Sequence, residues 1–353
     1  MKKELLVASA LVSTLGAAGI AEAASSTISG HHKVGVVGKD LDSSSTNTRA
    51  SDQQSTFTVS ISETTDSGIK ISTGFDLAEE SSGSATHDPS GLTLEFTDGS
   101  KLDLVEAGTA TGSHAVSVPG AGGEQGISAT TVNNAPTAIT MGAASDAIGF
   151  EYHTAADAFG VEGLKASVSF ASNDTALVTQ TSQTASIETT YSVGVTYVTD
   201  AGDSTVTVGA GLVEATNNNS KTTEENSAMH IGLTAVTGDL TVGVGYGTGT
   251  FVSTAGDLVQ VDGDFTSAGA KYVSGDITFA VGVTSAEGKD EAYGTAFSSA
   301  ADARDTIGAS IAYAVASGVT ATLGYTDIDD KDEGAASTNT SGSSWYVGAT
   351  ISF

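Results

Sequence analysis

The chain has 353 residues, no cysteine and three prolines, and it carries a formal charge of −29 from 13 basic against 42 acidic side chains. That charge repels phosphate and excludes a nucleic-acid binder, and the absence of cysteine excludes a small disulfide-stapled domain. Beyond residue 23 no run approaches the ~20 apolar residues of a spanning helix, so a membrane form of this chain has to be a closed β-barrel.

The first predicted element is a leader. Lys2 and Lys3 form a positive start, Leu5 to Ile20 an apolar or small-residue run, and Ala21-Glu22-Ala23 a small-x-small cleavage site. A mature chain beginning at Ala24 loses Lys2, Lys3, Glu4 and Glu22, so its charge stays at −29. Residues 24–353 are then one domain.

From there the dominant period is two. Phe57, Val59 and Ile61 alternate with Thr58, Ser60 and Ser62; Leu240, Val242, Val244 and Tyr246 alternate with Thr241, Gly243 and Gly245; Ile277, Phe279, Val281 and Val283 follow the same rule. Such strands have one apolar face and one polar or small face. Sixteen are expected, near 26–38, 54–64, 69–78, 91–97, 101–106, 145–153, 164–171, 187–198, 205–213, 228–237, 240–250, 264–273, 277–285, 304–315, 319–328 and 343–353. Alternation alone also fits a soluble sandwich. The connections discriminate: tight turns such as Thr65-Asp66-Ser67-Gly68 and Ser274-Gly275-Asp276 alternate strictly with long polar stretches such as 172–186 and 329–342. An all-β, transmembrane, antiparallel up-and-down barrel requires this, with turns on one side of the membrane and loops on the other. An even count lets the first and last strands pair and removes the sheet edges.

One insertion breaks the rhythm. Residues 106–144 are rich in Gly, Ala, Thr and Ser and hold Pro119 and Pro136. A loop of this length in a compact domain is functional or disordered, and in a barrel its natural place is the lumen. Its titratable groups, Glu106, His114 and Glu124, are the candidate constriction residues.

Parity assigns the remaining charges. With apolar side chains toward lipid, Lys33, Lys70, Lys101, Lys165, Lys271 and Arg304 face the lumen, as do Asp76, Glu95, Asp103, Glu151, His153 and Glu188. His32, which shares its parity with Val34 and Val36, is the nearest candidate for a polar group on the lipid side. Carboxylate rings concentrate cations, so cation preference is the expectation. Asp329, Asp330, Asp332 and Glu333 could ligate calcium through oxygen, but their spacing does not match a twelve-residue calcium loop and a solvated acidic loop is the simpler reading. No enzyme motif is present: there is no cysteine nucleophile and no Gly-x-Ser-x-Gly elbow, and the six histidines lack zinc-motif spacing.

The leader, the even strand count, the long third outer loop and the terminal strand Trp345, Val347, Ala349, Ile351, Phe353 together resemble the trimeric general porins of Gram-negative bacteria, particularly the alphaproteobacterial type. The resemblance lies in pattern over the whole mature chain. It implies a water-filled passage for ions and small hydrophilic solutes, a third loop folded inside, and a homotrimer in outer-membrane lipid. It also implies a terminal strand read by the outer-membrane assembly machinery, and no enzymatic activity or cofactor. The family often sets an arginine ladder against an acidic loop; here only Arg49 and Arg304 exist, which argues against a strong transverse field. Two other readings share the composition: a secreted acidic adhesin or surface-layer protein, which has no need of the terminal strand, and a substrate-specific channel, which would line its path with aromatic residues.

Overall fold

In the computed structural model the described residues are 24–41, 48–80, 85–105, 109–120, 148–172, 187–217, 226–253, 259–292, 301–332 and 340–353. The predicted leader, 1–23, lies outside them. They form sixteen strands: β1 Ser25–Leu41, β2 Thr48–Thr64, β3 Lys70–Glu80, β4 Ala85–Glu95, β5 Lys101–Leu104, β6 Ile148–His153, β7 Leu164–Ser172, β8 Ile187–Ala201, β9 Ser204–Asn217, β10 Asn226–Thr237, β11 Leu240–Ser253, β12 Val259–Ser274, β13 Ile277–Ala292, β14 Ala301–Ala316, β15 Val319–Asp332 and β16 Thr340–Ser352. Each pairs antiparallel with its sequence neighbours, and β1 pairs with β16, so the sheet closes on itself. No helix among the described residues is long and apolar enough to cross a membrane.

The strands run longer than expected. β2 begins at residue 48 rather than 54, β4 at 85 rather than 91, and β12 at 259 rather than 264, while β5 stops at 104. The extra residues lie toward the long loops and are mostly polar, as in Thr48, Arg49, Ser51, Asp52 and Gln53 of β2. Polar side chains there follow no apolar-polar alternation, so periodicity is blind to them.

Packing is inverted relative to a soluble domain. Val193, Val244, Ile231, Val281, Ile307, Leu323 and Val347 are exposed on the outer face, whereas Ser167, Ser192, Thr284, Thr306 and Thr326 are buried on the inner one. Outward aromatic residues fall in two belts. Tyr191, Tyr246, Tyr325 and Trp345 lie toward the loops; Tyr197, Tyr272, Phe279, Tyr313 and Phe353 lie toward the turns. Six to eight residues separate the belts on one strand, about 20–27 Å at about 3.4 Å per residue, commensurate with an apolar band of about 25 Å.

The β1–β16 ladder that closes the sheet extends from Leu41–Gly342 to His31–Ser352 and ends on Phe353. Gly30 and Phe353 exchange both backbone hydrogen bonds, each 3.1 Å, and the Phe353 ring lies 6.3 Å from that of Phe57. Gly30 and Gly38 supply the space: a Cβ on Gly38 would enter the Trp345 ring, and one on Gly30 would abut Phe353.

Candidate functional site

The functional surface of such a barrel is its inner wall, and two parts of it are built differently. The first holds the inserted segment. Residues 109–120 enter the lumen and lie against β7–β13. A single helical turn, α1 (Ala110–Ser113), is capped by the Thr109 hydroxyl, which accepts from Gly112 N–H. Ala110 N–H donates to Ser169 Oγ at 3.1 Å, the Thr111 hydroxyl donates to the Leu212 carbonyl at 3.2 Å, and His230 Nε2 lies 2.8 Å from the Thr111 carbonyl. His114 is held at both ring nitrogens, Nε2 by Ser167 Oγ at 2.8 Å and Nδ1 by Thr196 Oγ1 at 2.6 Å.

Close approach is possible because the wall beneath is glycine. Gly194, Gly209, Gly211, Gly232, Gly245 and Gly269 sit at inward positions of successive strands, where a Cβ would meet Ala110, His114, Thr111, Val116, Val118 and Pro119 respectively. Register aligns them: Gly194 faces Gly211, Gly209 faces Gly232, Gly232 faces Gly245, and Gly269 faces Gly282, which faces Gly308. The result is a band of inward glycines across β8–β12 on which the segment rests.

The second part is the charged wall of β3–β6. Lys70 opposes Glu95, Glu95 opposes Lys101, and Lys101 opposes His153. One pair inward along the same strands, Thr93 opposes Asp103 and Asp103 opposes Glu151. Lys70 Nζ is 4.0 Å from Glu95 Oε2, His153 Nε2 is 2.8 Å from Asp103 Oδ2, and the Thr93 hydroxyl donates to Asp103 Oδ1. His153 Nδ1 meets Ser167 Oγ at 2.9 Å, so His114 and His153 share that hydroxyl. The array Asp103–His153–Ser167 has the membership of a hydrolytic triad. Ser167 is only 3% exposed and clamped between two imidazoles, so it serves as a strut between wall and segment.

The register places Lys33, Lys165 and Lys271 on the inner face as well, with Asp76 opposite Thr58. Glu188 and Arg304 lie on β8 and β14 with their side chains outside the described set, as do those of Asp330, Asp332 and Glu333. Of the three expected constriction residues, Glu106 and Glu124 fall outside the described residues; His114 does not open onto the passage but is 5% exposed, against the wall. Burial, more than any neighbouring charge, holds its pKa down at about 4. His32 does face outward, its Nδ1 2.8 Å from Ser55 Oγ. Asp98, at the β4–β5 turn, accepts from Ser100 N–H and Oγ–H, which lowers its carboxyl pKa.

A closed sixteen-strand barrel with an apolar exterior, a polar interior and a segment docked inside defines an outer-membrane channel. A sequence model of the Gram-negative porin family matches residues 8–333, and the chain belongs to that family, whose members are non-enzymatic channels of the outer membrane. Solved structures with the same fold include a porin refined at 1.8 Å, 15% identical with a TM-score of 0.64, covering 93% of this chain and 100% of its own. An anion-selective porin from Comamonas acidovorans is 15% identical with a TM-score of 0.61 (94% and 100% covered), and the trimeric form of OmpT from Vibrio cholerae is 14% identical with a TM-score of 0.60 (94% and 100% covered). No curated protein sequence matches the chain.

Proposed function

We propose that the chain forms a general-diffusion channel for ions and small hydrophilic solutes, cation-preferring and assembled as a homotrimer. The observation that carries the reading is the polarity of the lumen. Aromatic residues that a sugar-selective path would use lie on the outer belts, and the inward Tyr346 and Phe265 are buried flat against the wall.

Cation preference follows from the mouth rather than the middle. Along the Lys70–Glu95–Lys101 rung of the β3–β6 wall the charges alternate in sign, which leaves little net field there. The turn side differs: six of the seven short connections carry an aspartate, namely Asp66, Asp98, Asp157, Asp203, Asp239 and Asp276. A carboxylate ring at an entrance enriches cations. Likeness to an anion-selective porin reaches only the fold at this identity. In planar bilayers the reversal potential under a KCl gradient should have the cation sign and shrink as salt rises, because screening acts within about 10 Å at 0.1 M. A potential of anion sign overturns the preference, and absence of conductance overturns the channel itself.

The trimer is supported by the outer face of β1–β2. Between the aromatic belts, at the level of Ile351 and Ala349, this face presents His32, Ser55 and Gln53. Polar groups at that depth are costly against lipid, and a second copy would cover them. Conductance arriving in steps of three would agree with it, and single independent steps would not. The terminal strand Trp345–Phe353 serves assembly in the same reading: deleting Phe353, which removes two hydrogen bonds to Gly30, should reduce outer-membrane insertion far more than it alters selectivity.

A further inference from the structure

Asp103, Glu151 and His153 do more than decorate the wall. One ligating atom from each lies within 4.8 Å of the others. Glu151 is 1% exposed, yet its Oε1 has no hydrogen-bond partner among the described residues; it points toward His153, whose Nδ1 is 3.7 Å away. A buried carboxylate oxygen left without a donor costs free energy, and a bound cation is one remedy. The strands make the group rigid: Asp103 and Glu151 are directly opposite in the β5–β6 ladder, and His153 follows Glu151 by two residues on the same face.

We propose that these three side chains form a binding site in the channel wall for a divalent first-row transition-metal ion. The chemistry selects the class. Two carboxylates alone would suit calcium or magnesium, whereas an imidazole in the set favours zinc, cobalt or nickel. Zinc bonded at about 2.0–2.2 Å in tetrahedral geometry spaces its ligands about 3.4 Å apart, so the cluster needs only small side-chain adjustments. One ring nitrogen of His153 binds the ion; the other keeps a partner, Asp103 or Ser167, that fixes the ring. Asp103 and His153 are partly exposed to the lumen, which leaves coordination positions for water and a route for the ion. Lys101, opposite His153, opposes a cation at the site.

The test uses the full-length chain folded in detergent, with zinc alone as the ligand, titrated against a chromophoric zinc chelator. One equivalent per chain is expected. Glu151→Gln and His153→Gln should each weaken binding by about tenfold or more, Lys101→Gln should tighten it, and Asp305→Asn on the outer face should leave it unchanged. Cobalt on the wild-type chain should give visible bands that zinc displaces. Wild-type protein that takes up no zinc, or takes it up equally after Glu151→Gln and His153→Gln, overturns the site. The wild-type titration and the cobalt spectrum decide the matter even if a variant fails to fold.

Discussion

Strands β8–β13 and strands β3–β6 line the same lumen with opposite means. The first wall is lined with glycine and made to receive a piece of backbone; the second carries Lys70, Glu95, Lys101, Asp103 and His153, which reach the water of the lumen, around a buried Glu151. On the glycine wall, function is set by shape: a Cβ anywhere along the glycine band competes with residues 110–120 for the same space. On the charged wall, function is set by electrostatics, and side-chain volume matters little. Ser167 joins the two, because its hydroxyl serves His114 of the segment and His153 of the wall.

The sharpest way to break the contrast is to give the glycine wall a side chain. Gly194→Val places carbon where the Ala110 carbonyl and the His114 ring now lie. Overpacking alone costs about 1–3 kcal/mol, and here it also removes the hydrogen bonds that seat α1. The segment should leave the wall, and single-channel conductance should change several-fold. Proteolysis within 109–120 should become easier while the barrel still resists heating in detergent. A wild-type conductance in this variant would show that the glycine band is incidental. The equivalent change on the other wall, Ser72→Val, should do neither.

A smaller effect comes from titrating the seat. His114 has its pKa held at about 4, mainly by burial, against 6.5 when free. An imidazole depressed in the folded state stabilises that state fully above pH 6.5, and the contribution is lost as pH falls toward about 4. The gap corresponds to about 3 kcal/mol. Protection factors for hydrogen exchange in residues 110–116, corrected for the intrinsic slowing of exchange with falling pH, should therefore drop between pH 6.5 and 4, and current noise should rise over the same window. His114→Gln should flatten both profiles. The charged rung on the other wall has no comparable grip on the segment, so Glu95→Gln should leave the profiles as they are.

These two walls were unequally legible in the sequence. The strand count, the lumen parity of the lysines and carboxylates, and the inserted loop could all be read, because a membrane imposes a period-two apolar signal and an alternation of turn and loop lengths. The glycine band could not be read strand by strand. Gly243 and Gly245 look only like small residues at polar parity, and Gly194, Gly211 and Gly232 look like weaknesses in their strands. Their meaning appears once register lays Gly209 beside Gly232 and Gly232 beside Gly245, a relation between strands that no single window contains. The same limit hid the Asp103–Glu151–His153 cluster, in which Asp103 stands across the insertion from the closely spaced pair Glu151 and His153. The signal that could have found the glycine band is glycine recurring at inward parity in β8 through β14.

The smallest expected effect sharpens the other side of the comparison. Lys70 and Glu95 are 4.0 Å apart with side chains 49% and 40% exposed, so water screens most of their attraction. Such a pair contributes about 0–1 kcal/mol, and neither Lys70→Gln nor Glu95→Gln should move the unfolding midpoint measurably. Selectivity responds differently, since each change removes one charge from a rung that alternates in sign. Lys70→Gln should raise the cation-to-anion permeability ratio and Glu95→Gln should lower it, both modestly and both less at high salt. The double variant should return close to the wild-type ratio, because the two changes cancel in net charge. Reversal potentials in a KCl gradient measure all three. Shifts of the same sign in the two single variants would mean that the permeating ion does not sense this wall, and that selectivity resides wholly in the aspartates at the mouth.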